Sequence, residues 1–377
     1  MLKGRLMYDV QRIHGEYGDV VRLAPDEVSF AKQEAWRDIH EPHHGQKAFP
    51  RSPVLFAANP GQVDSMLTAP DNGDHARMRK LLNLAFTKKA LKAQQPIIER
   101  HAELFIDKLR TEATAQATVS GVQDQSVVVN IVDWINFFAF DVMGDLVFGE
   151  SFNCLNDAAY HEWVHLLFAN IKSLTLAVAT RYYPALEFIV MRLMPKRILQ
   201  EVYDHIQYAE DRIHTRLNYE KHRGDFMTPV IEHNQDFQVM SLKEIEATYS
   251  VLTIAGSETT GTALAGIANQ LIQSAPVLGN LAAEIRSAFP QESDISIAAV
   301  KDLPYLNAVI SEGLRMCNPV AAGLPRIAPQ GGGTVCGVWL PEKVCPPNVR
   351  GLSCFCVIPG SHSVTNHTAP LTALYQL

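Results

Sequence analysis

One long segment, positions 241–273, constrains the fold of this chain more than any other part of the sequence. It begins with a capping box, because the Ser241 side chain can accept from the Glu244 amide while the Glu244 carboxylate reaches back to the Ser241 amide. At about 1.5 Å per residue, the segment predicts a helix about 45 Å long, enough to cross a whole domain. Apolar or small residues occupy most of its faces, a pattern typical of a buried helix. We therefore expect a mainly helical protein organised around this helix.

The middle of the predicted helix, Ala255 to Thr260, consists of small and polar residues where a buried helix would carry bulky ones. Glycine in a helix costs about 1 kcal/mol of propensity relative to alanine. One interpretation is close packing: Gly256 and Gly261 let another helix approach, and the hydroxyl groups bond back to carbonyls one turn earlier. The other is a groove that faces a flat cofactor, with Glu258 and Thr259 handling protons. The segment alone leaves both interpretations open.

The composition is that of a globular protein, since 47% of the 377 residues are hydrophobic and 19% are charged. A net charge of −7 argues against a nucleic-acid-binding surface. No apolar run reaches the ~20 residues that a membrane span needs. The six cysteines form no CxxC pair and no metal-binding spacing with histidine, which favours free thiols in a reducing compartment. We therefore predict a soluble or peripheral chain that does not bind nucleic acid.

The remaining segments predict more helices and a few short strands. Helices are expected at 3–17, at 74–113 with breaks near 86–87 and at Pro96, at 129–152, at two or three places within 156–223 with breaks at Pro184 and Pro195, at 275–289 and at 303–317. Two strands joined by a Pro-Asp turn are expected at 20–31, and short strands after Pro319. Residues 41–73 are rich in proline and predict a long irregular segment, which is commonly functional.

A cluster of basic residues, His75, Arg77, Arg79 and Lys80, lies at the predicted start of the helix at 74–113. Cations at a helix N-terminus oppose the macrodipole. We therefore expect either an anionic partner nearby or a solvated basic face.

Glu312 and Arg315 are spaced i, i+3 on the predicted helix at 303–317, so their side chains can meet on one face. Their apolar neighbours predict that the pair is at least partly buried, and a buried ion pair needs further hydrogen bonds to offset its desolvation. Taken alone, such a pair lies most often on the surface.

In order and spacing, these motifs resemble those of the cytochrome P450 family over about residues 5–341. The resemblance is closest to fungal microsomal members of secondary metabolism, such as isotrichodermin hydroxylase-like monooxygenases. The motifs that carry it are Ala255-Gly256-Ser257-Glu258-Thr259-Thr260, Glu312-Gly313-Leu314-Arg315, Gly323-Leu324-Pro325-Arg326, Gly332, the segment from Cys336-Gly337 to Leu340-Pro341, His75-Ala76-Arg77-Met78-Arg79-Lys80 and Phe148-Gly149-Glu150-Ser151-Phe152.

The resemblance implies a mainly α, P450-like fold with a small β region, and a haem whose iron is held by a cysteine thiolate. It implies a monooxygenase that hydroxylates a lipophilic small molecule with O2, using electrons from NADPH-cytochrome P450 reductase. It also implies a location on the cytosolic face of the endoplasmic reticulum membrane.

The resemblance further assigns roles to individual residues. Glu258 and Thr259 would be catalytic, delivering protons on the distal side of the haem, where Ala255 and Gly256 leave room. His75, Arg79 and Arg326 would bind the haem propionates. Glu312 and Arg315 would form a structural pair. Substrate contacts would come from Val251, Val320, Ala321 and Leu324, and from segments 53–74 and 166–192.

Two parts of the family pattern are missing from the sequence, and they make this chain look truncated at both ends. There is no hydrophobic anchor at the start, and no Phe-x-x-Gly-x-Arg-x-Cys-x-Gly loop to supply the axial cysteine. We therefore expect a P450-like domain at 1–341, a poorly ordered, aberrant tail at 342–377, and no metal ligand. Without the segment that follows in the family, the helices at 241–273 and 303–317 would lose apolar cover.

Three hypotheses follow, and they leave open whether this chain is an active oxidoreductase. The first is a haem-thiolate monooxygenase, as the family implies. The second is a catalytically inactive remnant of that fold, unable to bind haem through a thiolate and without the thiolate-type absorption of the ferrous–CO complex. The third is an unrelated helical scaffold, which the ordered set of motifs disfavours.

Overall fold

The computed structural model describes residues 5–41, 48–58, 62–120, 128–219, 222–320, 324–342 and 353–356. The chain divides into two compact units, each assembled from separate segments. The first unit comprises Met1–His75, Asn170–Pro195 and Val320–Leu377, and the second comprises Ala76–Ala169 and Lys196–Pro319.

The protein is mainly helical with a few short strands, which confirms the predicted fold class. The helices are α1 (Leu6–Tyr17), α2 (Gln33–His40), α3 (Asn72–Leu82), α4 (Lys88–Ser120), α5 (Ile131–Phe148), α6 (Cys154–Asp157), α7 (Glu162–Thr180), α8 (Pro184–Leu193), α9 (Lys196–Leu217), α10 (Thr228–His233), α11 (Leu242–Gln273), α12 (Ala275–Ala288), α13 (Ile297–Val300) and α14 (Pro304–Met316). The strands are β1 (Val20–Ala24), β2 (Glu27–Phe30), β3 (Arg326–Ile327), β4 (Gly333–Val335), β5 (Val338–Leu340) and β6 (Ser353–Cys356).

The first unit contains the sheets. The predicted ribbon at 20–31 is confirmed, because β1 and β2 pair antiparallel around the Pro-Asp turn. The larger sheet has the order β1-β2-β6-β3, with β6 parallel to β2 and antiparallel to β3. The hairpin of β4 and β5 turns at Cys336-Gly337, where both residues have positive φ (50° and 78°), as a tight hairpin turn requires.

Strand β6 (Ser353–Cys356) lies in the segment 342–377. That this segment is an aberrant, poorly ordered tail stays a prediction. These four residues fill the place between β2 and β3, where they pair with strand edges whose backbone groups would otherwise lack ladder partners. Residues 343–352 and 357–377 lie outside the described part of the chain.

The core of the second unit is built around α5 and α11, which pack more extensively against each other than any other two described elements. Asn130 caps α5 by accepting from the Val132 amide at 3.2 Å, and Gly149 ends the helix with a φ of 74°. A Cβ at position 149 would also collide with the Arg216 side chain, 2.7 Å away. Glycine is therefore required at the second position of the Phe148–Phe152 motif.

The predicted break at 86–87 is confirmed by a 3-10 turn over Asn83–Phe86. The predicted break at Pro96 is wrong, because α4 continues through this residue. A proline inside a helix costs about 3 kcal/mol. Here Gln94, Ile97 and His101 are all buried on one side of α4, and their packing holds the helix together across the proline.

A buried carboxylate, Asp145 of α5, joins distant segments of the second unit. It contacts the His101 Nε2 at 2.9 Å and also forms ion pairs with Arg100 and Arg223. These cations and the His101 hydrogen bond hold the pKa of Asp145 below its usual value, although burial opposes this effect. Asp145 thereby fixes α4 and the segment after α9 against α5.

No helix in the described ranges combines the length and the apolarity that crossing a bilayer requires.

Candidate functional site

Helix α11 begins with the predicted capping box, since the Ser241 amide donates to Glu244 Oε2 at 2.8 Å and the Glu244 amide donates to Ser241 Oγ at 3.3 Å. The expectation that α11 is buried on most sides is wrong. A buried row at i, i+4 spacing faces the core, whereas Ala255, Thr260 and Thr262 are exposed. The buried row consists of Ile245, Tyr249, Thr253, Ser257, Gly261 and Ala265. The small residues at the middle of α11 therefore give the helix one closed side and one open side.

Two glycines of α11, Gly256 and Gly261, lie against α5. A Cβ on Gly256 would come within 2.5 Å of the Met143 Cε, and a Cβ on Gly261 would overlap Asn136 Oδ1. These positions fit the close-packing interpretation of the segment. A contact between Gly256 and haem stays a prediction.

The hydroxyl groups of α11 bond back to carbonyls one turn earlier, as the close-packing interpretation expects. Thr253 Oγ1 donates to the Tyr249 carbonyl at 2.9 Å, and Ser257 Oγ donates to the Thr253 carbonyl at 2.8 Å. Thr259 Oγ1 donates to the Ala255 carbonyl at 2.6 Å and is partly open to solvent. The Thr259 hydroxyl therefore keeps its lone pairs as acceptors for a further donor.

Glu258 is the polar residue of α11 whose surroundings differ most from those of its neighbours. Its side chain is half-buried, and its Oε1 has no hydrogen-bond partner among the described residues. Burial raises the pKa of this carboxyl group above its usual value. A half-buried carboxyl with an unsatisfied oxygen and a raised pKa is suited to accept and release a proton. Val251, one turn before Ala255 on α11, is half-buried, and its contact with substrate stays a prediction.

The basic cluster at 75–80 separates into residues with different surroundings. Arg77 pairs with Glu244 of the α11 capping box, with 2.6 Å between Arg77 Nη2 and Glu244 Oε1. This hydrogen bond lowers the pKa of Glu244. The anionic partner expected for the cluster is therefore, for Arg77, a side chain of the same chain.

His75 lies in the first turn of α3, as predicted, but Arg79 and Lys80 do not, because α3 begins at Asn72 and ends at Leu82. Arg79 and Lys80 lie in its last turn, where a cation is favourable to the helix dipole, rather than at its start. Arg79 is exposed and His75 is half-buried. Their contact with a propionate stays a prediction.

Arg326, the third predicted propionate ligand, lies in β3 of the first unit. Its Nε donates to His40 Nδ1 at 3.3 Å, and its backbone pairs with that of Arg51. The pKa of His40 is lowered to about 4 by burial and by the Arg326 charge. Of the predicted substrate residues nearby in sequence, Val320 is exposed, Leu324 is half-buried and Ala321 lies outside the described residues.

Glu312 and Arg315 form the predicted pair, with 2.7 Å between Arg315 Nε and Glu312 Oε2. The expectation of partial burial is wrong, because the two side chains are 56% and 43% exposed. Leu314 between them is exposed as well, so this part of α14 is open to solvent.

Burial sets the protonation of the cysteine side chains that the structure describes. It raises the pKa of Cys154 to about 12 and also raises the pKa of Cys317 and of Cys336. The thiolate is the form that binds a metal, and burial alone disfavours it. Among the described residues there is also no group of three or more histidine, cysteine and acidic side chains arranged to hold a metal ion.

Comparison with known proteins decides the family. The model of the Cytochrome P450 family matches residues 2–342. The chain belongs to the cytochrome P450 family. The P450 motifs quoted above therefore belong to the family pattern, and the cofactor of the family is haem.

Several fungal P450 enzymes are similar to this chain. Cytochrome P450 monooxygenase lcsI of Purpureocillium lilacinum is 37% identical over 98% of this chain and 69% of its own length. Cytochrome P450 monooxygenase astJ of Aspergillus oryzae is 38% identical over 90% of this chain and 66% of its own length. Versicolorin B desaturase of Aspergillus parasiticus is 36% identical over 91% of this chain and 67% of its own length. The chain thus spans about two thirds of the length of these relatives.

Two of the predicted haem-site residues carry side chains of the expected type. Glu258 on α11 is a half-buried carboxyl with an unsatisfied oxygen, and Arg326 in β3 is a cation that could bind a carboxylate. They belong to different units, and their contacts with haem stay predictions. Sequence reasoning missed His40 and the Arg77–Glu244 pair, because residues 286 and 167 positions apart carry no local signal of contact.

Proposed function

We propose that this P450 takes part in the monooxygenation of a lipophilic small molecule of fungal secondary metabolism, with O2 and with electrons from NADPH-cytochrome P450 reductase. The observation that carries the proposal is Glu258, half-buried beside Thr259 at the open part of α11 with one oxygen unsatisfied. The relative of this chain in Aspergillus parasiticus is named a versicolorin B desaturase, which supports oxidation of a small metabolite as the reaction class.

Haem, when bound, supplies the oxygen-activating chemistry. The residues of this chain would supply protons and leave space for the substrate. Glu258 would hold a proton at its carboxyl group and pass it on through the Thr259 hydroxyl. Ala255 would leave space on the open side of α11, and Val251 would contact the substrate. Arg79, His75 and Arg326 would bind carboxylates of the porphyrin.

The cytosolic face of the endoplasmic reticulum is the proposed location. Helix α8 supports a peripheral contact with the membrane, because Leu186, Phe188, Ile189 and Leu193 are all exposed on it. Large apolar side chains grouped on one surface helix are suited to the interfacial region of a bilayer.

A second candidate function is a non-catalytic P450 remnant that binds porphyrin or substrate without a thiolate ligand. The observation that favours it is the placement of Cys154, which is 1% exposed and whose sulfur accepts from the His161 amide at 3.4 Å. This thiol is enclosed by the core of the protein.

Titration with haem, followed by the absorption spectrum of the ferrous–CO complex, separates the two candidates. Monooxygenation requires a thiolate-type spectrum, and Cys354→Ser and Cys356→Ser would then identify the ligand by loss of that spectrum. Haem binding without the thiolate-type band would contradict the first candidate and support the second. Cys154→Ser serves as the control, since the buried Cys154 is not expected to change the spectrum.

A further inference from the structure

Arg77 of α3 is bound to two places at the beginning of α11. Its Nη2 donates to Glu244 Oε1 at 2.6 Å and its Nη1 donates to Glu244 Oε2 at 3.3 Å, so the guanidinium group contacts both carboxylate oxygens. Its Nη1 also donates to the carbonyl of Val239, just before the helix. Pairs with two parallel hydrogen bonds fix the geometry of both partners. The Arg77 side chain therefore links α3 to the start of α11.

The acceptors of Arg77 are themselves held in place. Glu244 Oε2 also accepts from the Ser241 amide at 2.8 Å, as part of the α11 capping box, and the Arg77 hydrogen bond lowers the pKa of Glu244. Asn234 is buried, and its Oδ1 accepts from the Val239 amide at 2.9 Å. Other parts of the protein thus hold both acceptors in fixed positions.

The next residue of α3 contacts the following turn of α11. Met78 is 1% exposed, and its sulfur accepts from Thr248 Oγ1 at 4.0 Å. Glu244 and Thr248 lie one turn apart on α11, whereas Arg77 and Met78 are adjacent on α3. Two contacts at different positions along α11 limit the rotation of α3 about its own axis. The orientation of α3 is therefore set by α11.

Arg79 has different surroundings from Arg77. At about 100° per residue, two positions along the helix place its side chain on nearly the opposite side of α3. Arg79 is exposed, and no side chain in the described ranges forms an ion pair with it. Because both residues belong to one short helix, a rotation of α3 after loss of the Arg77 contacts would move the Arg79 guanidinium group.

We propose that Arg77 is a positioning residue, which through Glu244 sets the orientation of α3 so that Arg79 can bind a carboxylate of the porphyrin. The inference rests on the proposed haem-binding function and extends it to a residue on the other side of α3. Arg77 acts through Arg79 and does not touch the ligand.

Metal-free protoporphyrin IX and its dimethyl ester test this role, because their binding requires no axial cysteine and they differ only in whether the two carboxyl groups are charged. The affinities of the wild-type chain and of its variants for both porphyrins would be measured by fluorescence titration. The variants are Arg77→Gln, Glu244→Gln, Arg79→Gln and the double variant Arg77→Gln/Arg79→Gln. Arg110→Gln is the matched control, since Arg110 pairs with both oxygens of Glu292 elsewhere in the second unit.

We expect Arg77→Gln and Arg79→Gln each to bind protoporphyrin IX about tenfold more weakly, as for the loss of one charge-assisted hydrogen bond, with the dimethyl ester within about twofold of the wild type. The double variant should stay within about threefold of Arg79→Gln, because two substitutions that act on one contact are not additive. Independent effects would instead multiply to about a hundredfold. Arg110→Gln should bind both porphyrins as the wild type does.

Glu244→Gln separates positioning from simple attraction between charges. Glutamine can keep the capping box but loses the ion pair with Arg77. If only the sum of charges mattered, removal of a negative charge would strengthen protoporphyrin IX binding. Positioning predicts the opposite, a loss of about threefold or more. Circular dichroism and the thermal midpoint show whether each variant folds, and Glu244→Gln keeps the test valid if Arg77→Gln does not fold.

The outcomes separate failure of the inference from failure of the proposed function. If Arg79→Gln loses the preference for protoporphyrin IX over the ester while Arg77→Gln and Glu244→Gln keep it, the positioning role is overturned and the proposed function stands. Equal losses for both porphyrins in Arg77→Gln, or additive losses in the double variant, would also overturn that role. If the wild-type chain binds neither porphyrin, or both equally, the proposed binding of porphyrin carboxylates is overturned, and the inference with it.

Discussion

Glu258 and Thr259 are neighbours on α11, but only one of them is satisfied by the protein. The Thr259 hydroxyl donates to the Ala255 carbonyl at 2.6 Å, whereas Glu258 Oε1 has no hydrogen-bond partner among the described residues. A half-buried carboxyl in this state reduces the stability of the fold. Residues kept at such a cost are commonly functional.

Glu258→Gln is expected to stabilise the protein at pH 7–8 by up to about 1 kcal/mol, because it removes a partly desolvated charge. The pKa of Glu258 is raised in the folded state, so the carboxyl lowers stability as pH rises above the unfolded value of about 4.5. The increase in the free energy of unfolding caused by Glu258→Gln should therefore be absent at pH 4 and appear as pH rises. Urea unfolding at several pH values measures it.

The exposed Glu103 of α4 provides the matched control. Glu103→Gln makes the same chemical change without relieving burial, so it should leave the free energy of unfolding unchanged within error. Equal effects of the two substitutions would mean that the surroundings of Glu258 are not special.

We expect the protein to lose stability in acid because of His205 in α9. Its ring stacks on Trp163 with 4.3 Å between centroids, and burial lowers its pKa to about 4. In the unfolded chain the histidine binds its proton with a pKa near 6.5. The contribution of neutral His205 to the free energy of unfolding is therefore fully present above that pH and decreases as pH drops from about 6.5 to 4. His205→Phe keeps the stacking and removes the titration, so its free energy of unfolding should fall less steeply over this interval. Parallel slopes for variant and wild type would contradict the assignment.

At the scale of residues, sequence motifs found Glu258, Thr259 and Arg326 because each lies in a short pattern with fixed spacing. They could not find the hydrogen bond between Arg326 and His40, which lie 286 positions apart. They also could not show that Glu258, rather than Thr259, has an unsatisfied atom, because this depends on what packs around α11.

Helices α5 and α11 approach closely at two glycines, and these are expected to respond differently to added bulk. At Gly256 a new Cβ would meet the end of Met143, a flexible thioether that can move aside. At Gly261 it would meet Asn136, whose amide donates to the Tyr160 hydroxyl at 3.2 Å and is thereby held in place.

Gly261→Ala should therefore destabilise the protein by about 1–3 kcal/mol, as overpacking typically does. Gly256→Ala should be close to neutral, because the better helix propensity of alanine, about 1 kcal/mol, offsets the displacement of Met143. Chemical denaturation of both variants measures the difference. Adding Asn136→Ala to Gly261→Ala should restore part of the loss, and a further decrease would argue against steric overlap as the cause.

At the scale of elements, the sequence predicted most helices and the first hairpin, because amphipathic periodicity, caps and turn residues act locally. It was wrong at Pro96, where burial of neighbouring residues overrides a helix breaker. It was also wrong about the burial of Glu312 and Arg315, because burial depends on what covers α14 and not on the residues of α14 itself.

At the scale of the whole molecule, a prediction follows from the sheet of the first unit, because β6 lies between β2 and β3 and joins them. A chain that ends at Glu342 lacks β6, so β2 should lose the partner on one of its edges while keeping β1 on the other, and β3 should lose the strand it pairs with. We expect amide hydrogen exchange in these strands to become at least about tenfold faster, while α5 in the second unit keeps its protection. Unchanged exchange in β2 would show that β6 contributes nothing to the sheet.

The division into two units could not be derived from the sequence. Each unit combines segments far apart in the chain, and the irregular segment at 41–73 and the breaks at Pro195 and Pro319 do not show which segments pack together. What the sequence did contain was the ordered series of family motifs, which fixes the fold class without showing which segments pack together.

The network around Asp145 has a consequence for how this protein can change over generations. His101 and Arg223 both depend on the Asp145 carboxylate, and all three belong to different segments of the second unit. Replacing Asp145 removes the carboxylate that both other residues contact, and replacing either partner changes the pairing of the buried carboxylate, so residues in this network should not change stability additively. Variants that alter these positions should therefore survive mainly in combination, so the three sites behave as one heritable unit.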